Sequence, residues 1–108
     1  MSDDSFTAFV LDQLHDLRGV TCRAMFGGHG LYLGPVFFGI IHKGRLYFKT
    51  DAVGRALYVK KGMKPFQPNA KQRLKNYYEV PVDIIEDQMQ LSVWARKAAC
   101  SRSARMAS

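Results

Sequence analysis

The chain has 108 residues, a net charge of +7, 47% apolar and 12% aromatic content, which suits one folded domain with its own core and excludes a disordered chain. Cys22 and Cys100 are the only cysteines and have no CxxC spacing, which excludes a disulfide framework and a zinc ribbon. The acidic start MSDDSF has neither the basic nor the apolar region of a secretory leader, and the nearly apolar run Leu31 to Ile41 is far short of the roughly 20 residues that cross a bilayer; the expectation is a cytoplasmic protein without membrane association.

In chain order, Phe6, Phe9, Val10, Gln13, Leu14 and Leu17 recur at helical spacing. Asp3, Asp4 and Ser5 offer a cap and favourable charge at the start, and Gly19 suits the end, so a first helix is expected from about Asp4 to Arg18. Residues 21–49 change period. TCRAMF, GLYL, VFFGIIH and RLYFKT are rich in β-branched and aromatic residues, separated by GGHG, GP and KG. An antiparallel meander of three strands is expected, the first bent at its glycines, with Lys43-Gly44 as a tight hairpin turn. Alternation puts Leu46 and Phe48 on one face and Arg45, Tyr47 and Lys49 on the other.

Thr50 is the expected cap of a second helix from about Asp51 to Lys61, with Val53, Ala56 and Leu57 as its inner stripe and Gly62 as its stop. Gly54 makes this helix dependent on packing. KPFQP and LKNYYEV flank a polar NAKQR and extend the sheet as a further pair. Pro81 opens a short turn, VDIIE. Asp87 with Gln90 resembles a capping box ahead of a last helix whose stripe is Leu91, Trp94, Ala95 and Ala98. CSRSARMAS has no stripe and is expected to fray. The order is α-β-β-β-α-β-β-α: one α+β domain over residues 1–108, core about 4–99, with helices packed on one face of an antiparallel sheet.

The glycines of AMFGGHGLYLGP are not a phosphate cradle. A dinucleotide fingerprint needs a helix after its last glycine, and a P-loop needs Lys-Ser/Thr; here Leu31-Tyr32 begins a strand instead. Gly27, Gly28 and Gly30 are therefore expected to be structural, bending a strand. His15, His29 and His42 have no metal-ligand spacing, so no metal and no cofactor are expected. His15 lies off the apolar stripe and should face solvent. Cys22 and Cys100 fit small buried apolar residues better than nucleophiles. GxSxG, HExxH and paired carboxylates are missing, so no catalytic residue is assigned and the expectation is not an enzyme.

Charge is unevenly spread. Residues 43–75 carry ten bases against Asp51 alone, a balance that fits either a solvated face or an anionic partner. KGRLYFKT shares Lys43 and Gly44 with the RNA-binding octamer but lacks aromatics where that motif stacks bases. What remains is a basic and aromatic surface, with Arg45, Tyr47, Lys49, Lys60, Lys61, Lys71 and Arg73 as candidate contacts to a nucleic acid or a protein partner. Phe37, Phe38, Phe48, Tyr77, Tyr78 and Trp94 are expected mostly in the core; an exposed patch among them would mark a partner surface.

RAMFGGHGLYL, GRLYFKTD, GMKPF, YYEVP and VWARKA occur in that order, from about Phe6 to Ala99. On these five motifs the chain resembles the N-terminal domain of the TfoX/Sxy family of bacterial competence regulators. The resemblance implies a small α+β fold akin to type III secretion chaperones. It also implies a regulatory or protein-interaction role, including self-association, and supplies no catalytic residues. Full-length regulators of that family carry a second, helical domain after this one, whereas this sequence stops at Ser108 and is expected to be a standalone copy. Nucleic-acid binding through segment 43–75 is the alternative role.

Overall fold

The computed structural model describes residues 3–25 and 27–100. Its elements are α1 (Asp3–Gln13), β1 (Val20–Met25), β2 (Gly28–Leu33), β3 (Val36–His42), β4 (Arg45–Lys49), α2 (Ala52–Lys60), β5 (Pro65–Asn69), β6 (Gln72–Glu79), α3 (Val82–Ile85) and α4 (Gln88–Cys100). The six strands form one antiparallel sheet in the order β1-β2-β3-β4-β6-β5. The α+β fold with helices on one face is as the sequence predicts. The expected fraying beyond Cys100 lies outside the described residues, as do the side chains of Asp3 and Asp4.

The meander has four strands rather than three. Met25 pairs with Gly28, so the glycine-rich stretch turns a hairpin between β1 and β2 instead of bending one strand. Gly27 takes φ +76° in that turn, where an L side chain is strained. At the next hairpin but one, Lys43 and Gly44 both have positive φ, 50° and 74°, as a two-residue turn matched to strand twist requires.

One core lies between the sheet and the helices. Leu31, Phe38, Ile41, Leu46, Phe48 and Val80 meet Val10 and Leu14 of α1, Tyr58 of α2, Ile84 of α3, and Leu91 and Ala95 of α4. Strand alternation alone cannot send both Phe38 and Ile41 to that side. The β2–β3 register shifts at Leu31/Tyr32, where Leu31 faces Gly39 but Tyr32 faces Phe37. This bulge inserts Phe38 and reverses the alternation, so Phe37 and Ile40 point away from the helices. A second cluster of Ile40, Tyr47 and Phe66, with Phe37 and Tyr77 against it, therefore forms on the face opposite the helices.

Several local expectations shift. The first helix ends at Gln13, and a turn continues to Gly19. Phe9, placed in its stripe, is 43% exposed. Asp51, not Thr50, caps α2: its Oδ1 accepts from the Gly54 N–H at 2.7 Å. Thr50 is buried and its backbone N–H and hydroxyl both donate to the Asn76 carbonyl, at 2.6 and 3.0 Å, tying the end of β4 to β6. Asp87 caps α4 through the Gln90 N–H at 3.1 Å. The Gln90 amide donates to the same carboxylate at 2.9 Å, holding the Asp87 pKa below its ordinary value.

Candidate interaction surfaces

Two surfaces stand out, one on each side of the sheet. On the face away from the helices, residues opposite one another across antiparallel pairs share a side. Arg23 lies with Gly30, Tyr47 with Glu79, and Lys49 with Tyr77. A row of half-buried rings crosses this face: Tyr32 to Phe37 at 5.2 Å between centroids, and Phe37 to Tyr77 at 5.6 Å. The Arg23 guanidinium sits 5.1 Å over the Tyr32 ring, a cation–π arrangement. Burial pushes the Tyr77 hydroxyl pKa up to about 12, and the neighbouring Tyr32 adds to the shift. Gly30 makes room for the row: a Cβ there would lie 2.7 Å from the Met25 sulfur and 2.9 Å from the Phe37 ring.

The same face continues into a polar groove of about 490 Å³ walled by Arg45, Tyr47, Lys64, Gln67, Arg73 and Glu79, among others. Arg45 Nη1 donates to Glu79 Oε2 at 2.9 Å, and this bond raises the Arg45 pKa further. Lys64 and Arg73 add two cations to the groove, so its walls carry three positive groups against one carboxylate.

Of the residues singled out from sequence, the groove brings together Arg45, Tyr47 and Arg73. Tyr47 is 9% exposed and packs on Phe66 at 4.7 Å, so it is a wall rather than a free stacking ring. Burial, then Glu79, raises its hydroxyl pKa. Lys49, Lys60, Lys61 and Lys71 stand outside the groove. Lys49 is half-buried at the end of β4; Lys60 and Lys61 are exposed at the end of α2; Lys71 is exposed in the β5–β6 turn, where its backbone N–H donates to Asn69 Oδ1 at 2.8 Å. Charge and motif reading does not pick out Arg23, Tyr32 and Lys64, although the alternation of TCRAM and GLYL already places Arg23 and Tyr32 on one side.

The second surface lies on the helix side. The stripe Val53, Ala56 and Leu57, expected to face inward, faces out: Val53 is 85% and Leu57 40% exposed, and Tyr58 is the buried residue of α2. Val53, Leu57, Tyr58 and Trp94 line a cleft of about 260 Å³ between α2 and α4, bordered by Lys49 and Lys97. Tyr58 and Trp94 meet edge to face at 4.9 Å, and burial raises the Tyr58 hydroxyl pKa.

The expected core aromatics divide accordingly. Phe38 and Phe48 are fully buried, while Phe37, Tyr77, Tyr78 and Trp94 are half-buried. His15 is exposed as expected. Cys22 is half-buried and burial raises its thiol pKa; Cys100 is exposed, contrary to the expectation of burial. Among the described residues, no group of three or more His, Cys, Asp or Glu could hold a metal ion, and no helix is long and apolar enough to cross a membrane.

No curated protein matches the chain. The family profile described as TfoX N-terminal domain matches residues 12–101, a span running from α1 past the described end of α4. The chain therefore belongs to the TfoX N-terminal domain family and is, at the level of that family, a competence-regulator-like domain.

Proposed function

We propose that this protein is a non-enzymatic regulatory domain that acts by binding a partner protein, with the α2–α4 cleft as the contact. The observation that carries this reading is the outward stripe of α2. Val53 and Leu57 are apolar, exposed and beside Trp94 over a ready-made cleft. A helix that leaves its apolar row open is suited to receive apolar side chains from another chain. A second copy of this chain can supply such apolar side chains, since the same cleft and its Val53–Leu57 row can be presented twice across a symmetry axis.

The test compares wild-type protein with the double variant Val53→Gln/Leu57→Gln, which removes apolar surface but keeps good helix formers. Light scattering after size exclusion reads self-association, and affinity capture from a bacterial lysate reads other partners. The expected result is a dimer or a captured protein that the double variant loses. A monomer that captures nothing, or capture identical for both forms, overturns the reading.

A further inference from the structure

We propose that the sheet face opposite the helices is a platform for single-stranded nucleic acid, on which Phe37 and Tyr77 receive bases while Arg23, seated on Tyr32, and the Arg45–Arg73 groove hold backbone phosphates. This surface is distinct from the α2–α4 cleft and goes beyond the reading above.

Three features of the face converge on this ligand. The first is the ring row itself. The 5.2 and 5.6 Å spacings place the rings as neighbours across the sheet, each tilted by 40° to the next. None of the three is fully buried. Such a row gives unpaired bases adjacent π-surfaces, and every base has a face to place on them. The second is the sign of the charge. Glu79 is the sole acid in the six strands, and Arg45 is bonded to it. Lys64 and Arg73 in the groove, and Arg23 beside the row, leave a net positive field over the face. The third is the placement of Arg23. Its guanidinium lies over the Tyr32 ring, in position to grip a phosphate whose base rests on the neighbouring rings.

The arrangement favours single strands over duplex. In a duplex the bases are already stacked on each other and present only edges and phosphates, so the ring row would gain nothing from it. An acidic protein surface could satisfy the cations but would leave the row without stacking partners.

The experiment is fluorescence anisotropy with a labelled oligothymidine of about 16 nucleotides, a duplex of the same length, and polyglutamate as competitor, at about 50 and 200 mM salt. The variants are Arg23→Glu, at an exposed edge-strand position, and Tyr32→Leu, which keeps apolar bulk; circular dichroism verifies the fold of both. The expected result is binding to the single strand that weakens as salt rises, preference over duplex, and about a tenfold loss with either variant. Single-strand binding that survives Val53→Gln/Leu57→Gln would separate this surface from the cleft. No binding at low salt overturns the proposal. So does equal binding of duplex with Tyr32→Leu unaffected, or displacement by polyglutamate as effective as by unlabelled oligonucleotide, since each reduces the interaction to charge.

Discussion

Three nearby glycines do three different jobs, and a side chain at each meets a different obstacle. Gly27 has open space around it, and only its φ of +76° resists substitution. Gly27→Ala is expected to destabilise by about 1–2 kcal/mol, the cost of a left-handed L residue. Gly28 has an ordinary φ, but a Cβ there would fall 2.1 Å from the Ile41 carbonyl oxygen, which is backbone. The β2–β3 pair would have to part locally, so Gly28→Ala is expected to cost about 3 kcal/mol. At Gly30 the nearest atoms belong to the Met25 and Phe37 side chains, and Met25 can swing away at less expense than backbone. Urea unfolding of the three variants should rank Gly28→Ala as the most damaging. A ranking with Gly27→Ala worst would mean that φ, rather than strand contact, dominates. From the sequence these glycines read as bending one strand; a turn cannot be told there from a close approach, because that distinction depends on what lies across the neighbouring strand.

The elements themselves were largely legible, and the departures share a cause. Leu46 and Phe48 alternate with Arg45 and Tyr47 as a simple strand should, and the structure keeps them so. VFFGIIH carries no such signal, since Phe37, Phe38, Ile40 and Ile41 are all apolar; only the bulge opposite Tyr32 decides which face each takes. Helix α2 misled in the opposite sense. Periodicity points its apolar Val53–Leu57 row inward, yet the structure buries Tyr58, whose ring packs on Trp94 and lies 6.0 Å from Tyr78. An aromatic can fill the space between helix and sheet that two smaller aliphatics would leave, and periodicity does not weigh size. The candidate sites inherit this pattern: the cleft exists because the stripe turned outward, and the ring row because the bulge sent Phe37 away from the core. The division of labour within α2 is measurable. Tyr58→Ala is expected to cost about 3 kcal/mol, the loss of a buried aromatic. Val53→Gln/Leu57→Gln should stay within about 1 kcal/mol, as exposed substitutions by helix formers do. Comparable losses in thermal unfolding would place the row in the core after all.

For the molecule as a whole, the buried tyrosines are expected to weaken the fold at high pH. Both sides of the sheet use phenols as packing. Tyr58 lies in the helix-side core, and Tyr47 and Tyr77 belong to the opposite cluster. Burial raises all three above the ordinary value of 10.0, Tyr77 to about 12. A phenol is neutral when protonated, so burial resists its ionisation. Below about pH 10 these groups are protonated both in the fold and in the unfolded chain, and their contribution is fully present. As pH rises beyond that value the unfolded chain releases its protons first. The unfolded state then binds fewer protons than the native one, so stability falls with rising pH until the native phenols ionise as well. Urea midpoints are therefore expected to decline steadily from about pH 10 towards 12. Phenolate absorbance should reach its full value only as the protein unfolds. Tyr77→Phe keeps the ring in the row but removes its ionisable hydroxyl, so its midpoint should decline less steeply over the same interval. A wild-type midpoint unchanged between these limits, or a Tyr77→Phe curve parallel to the wild type, would show that the Tyr77 hydroxyl is as open to solvent in the fold as in the unfolded chain.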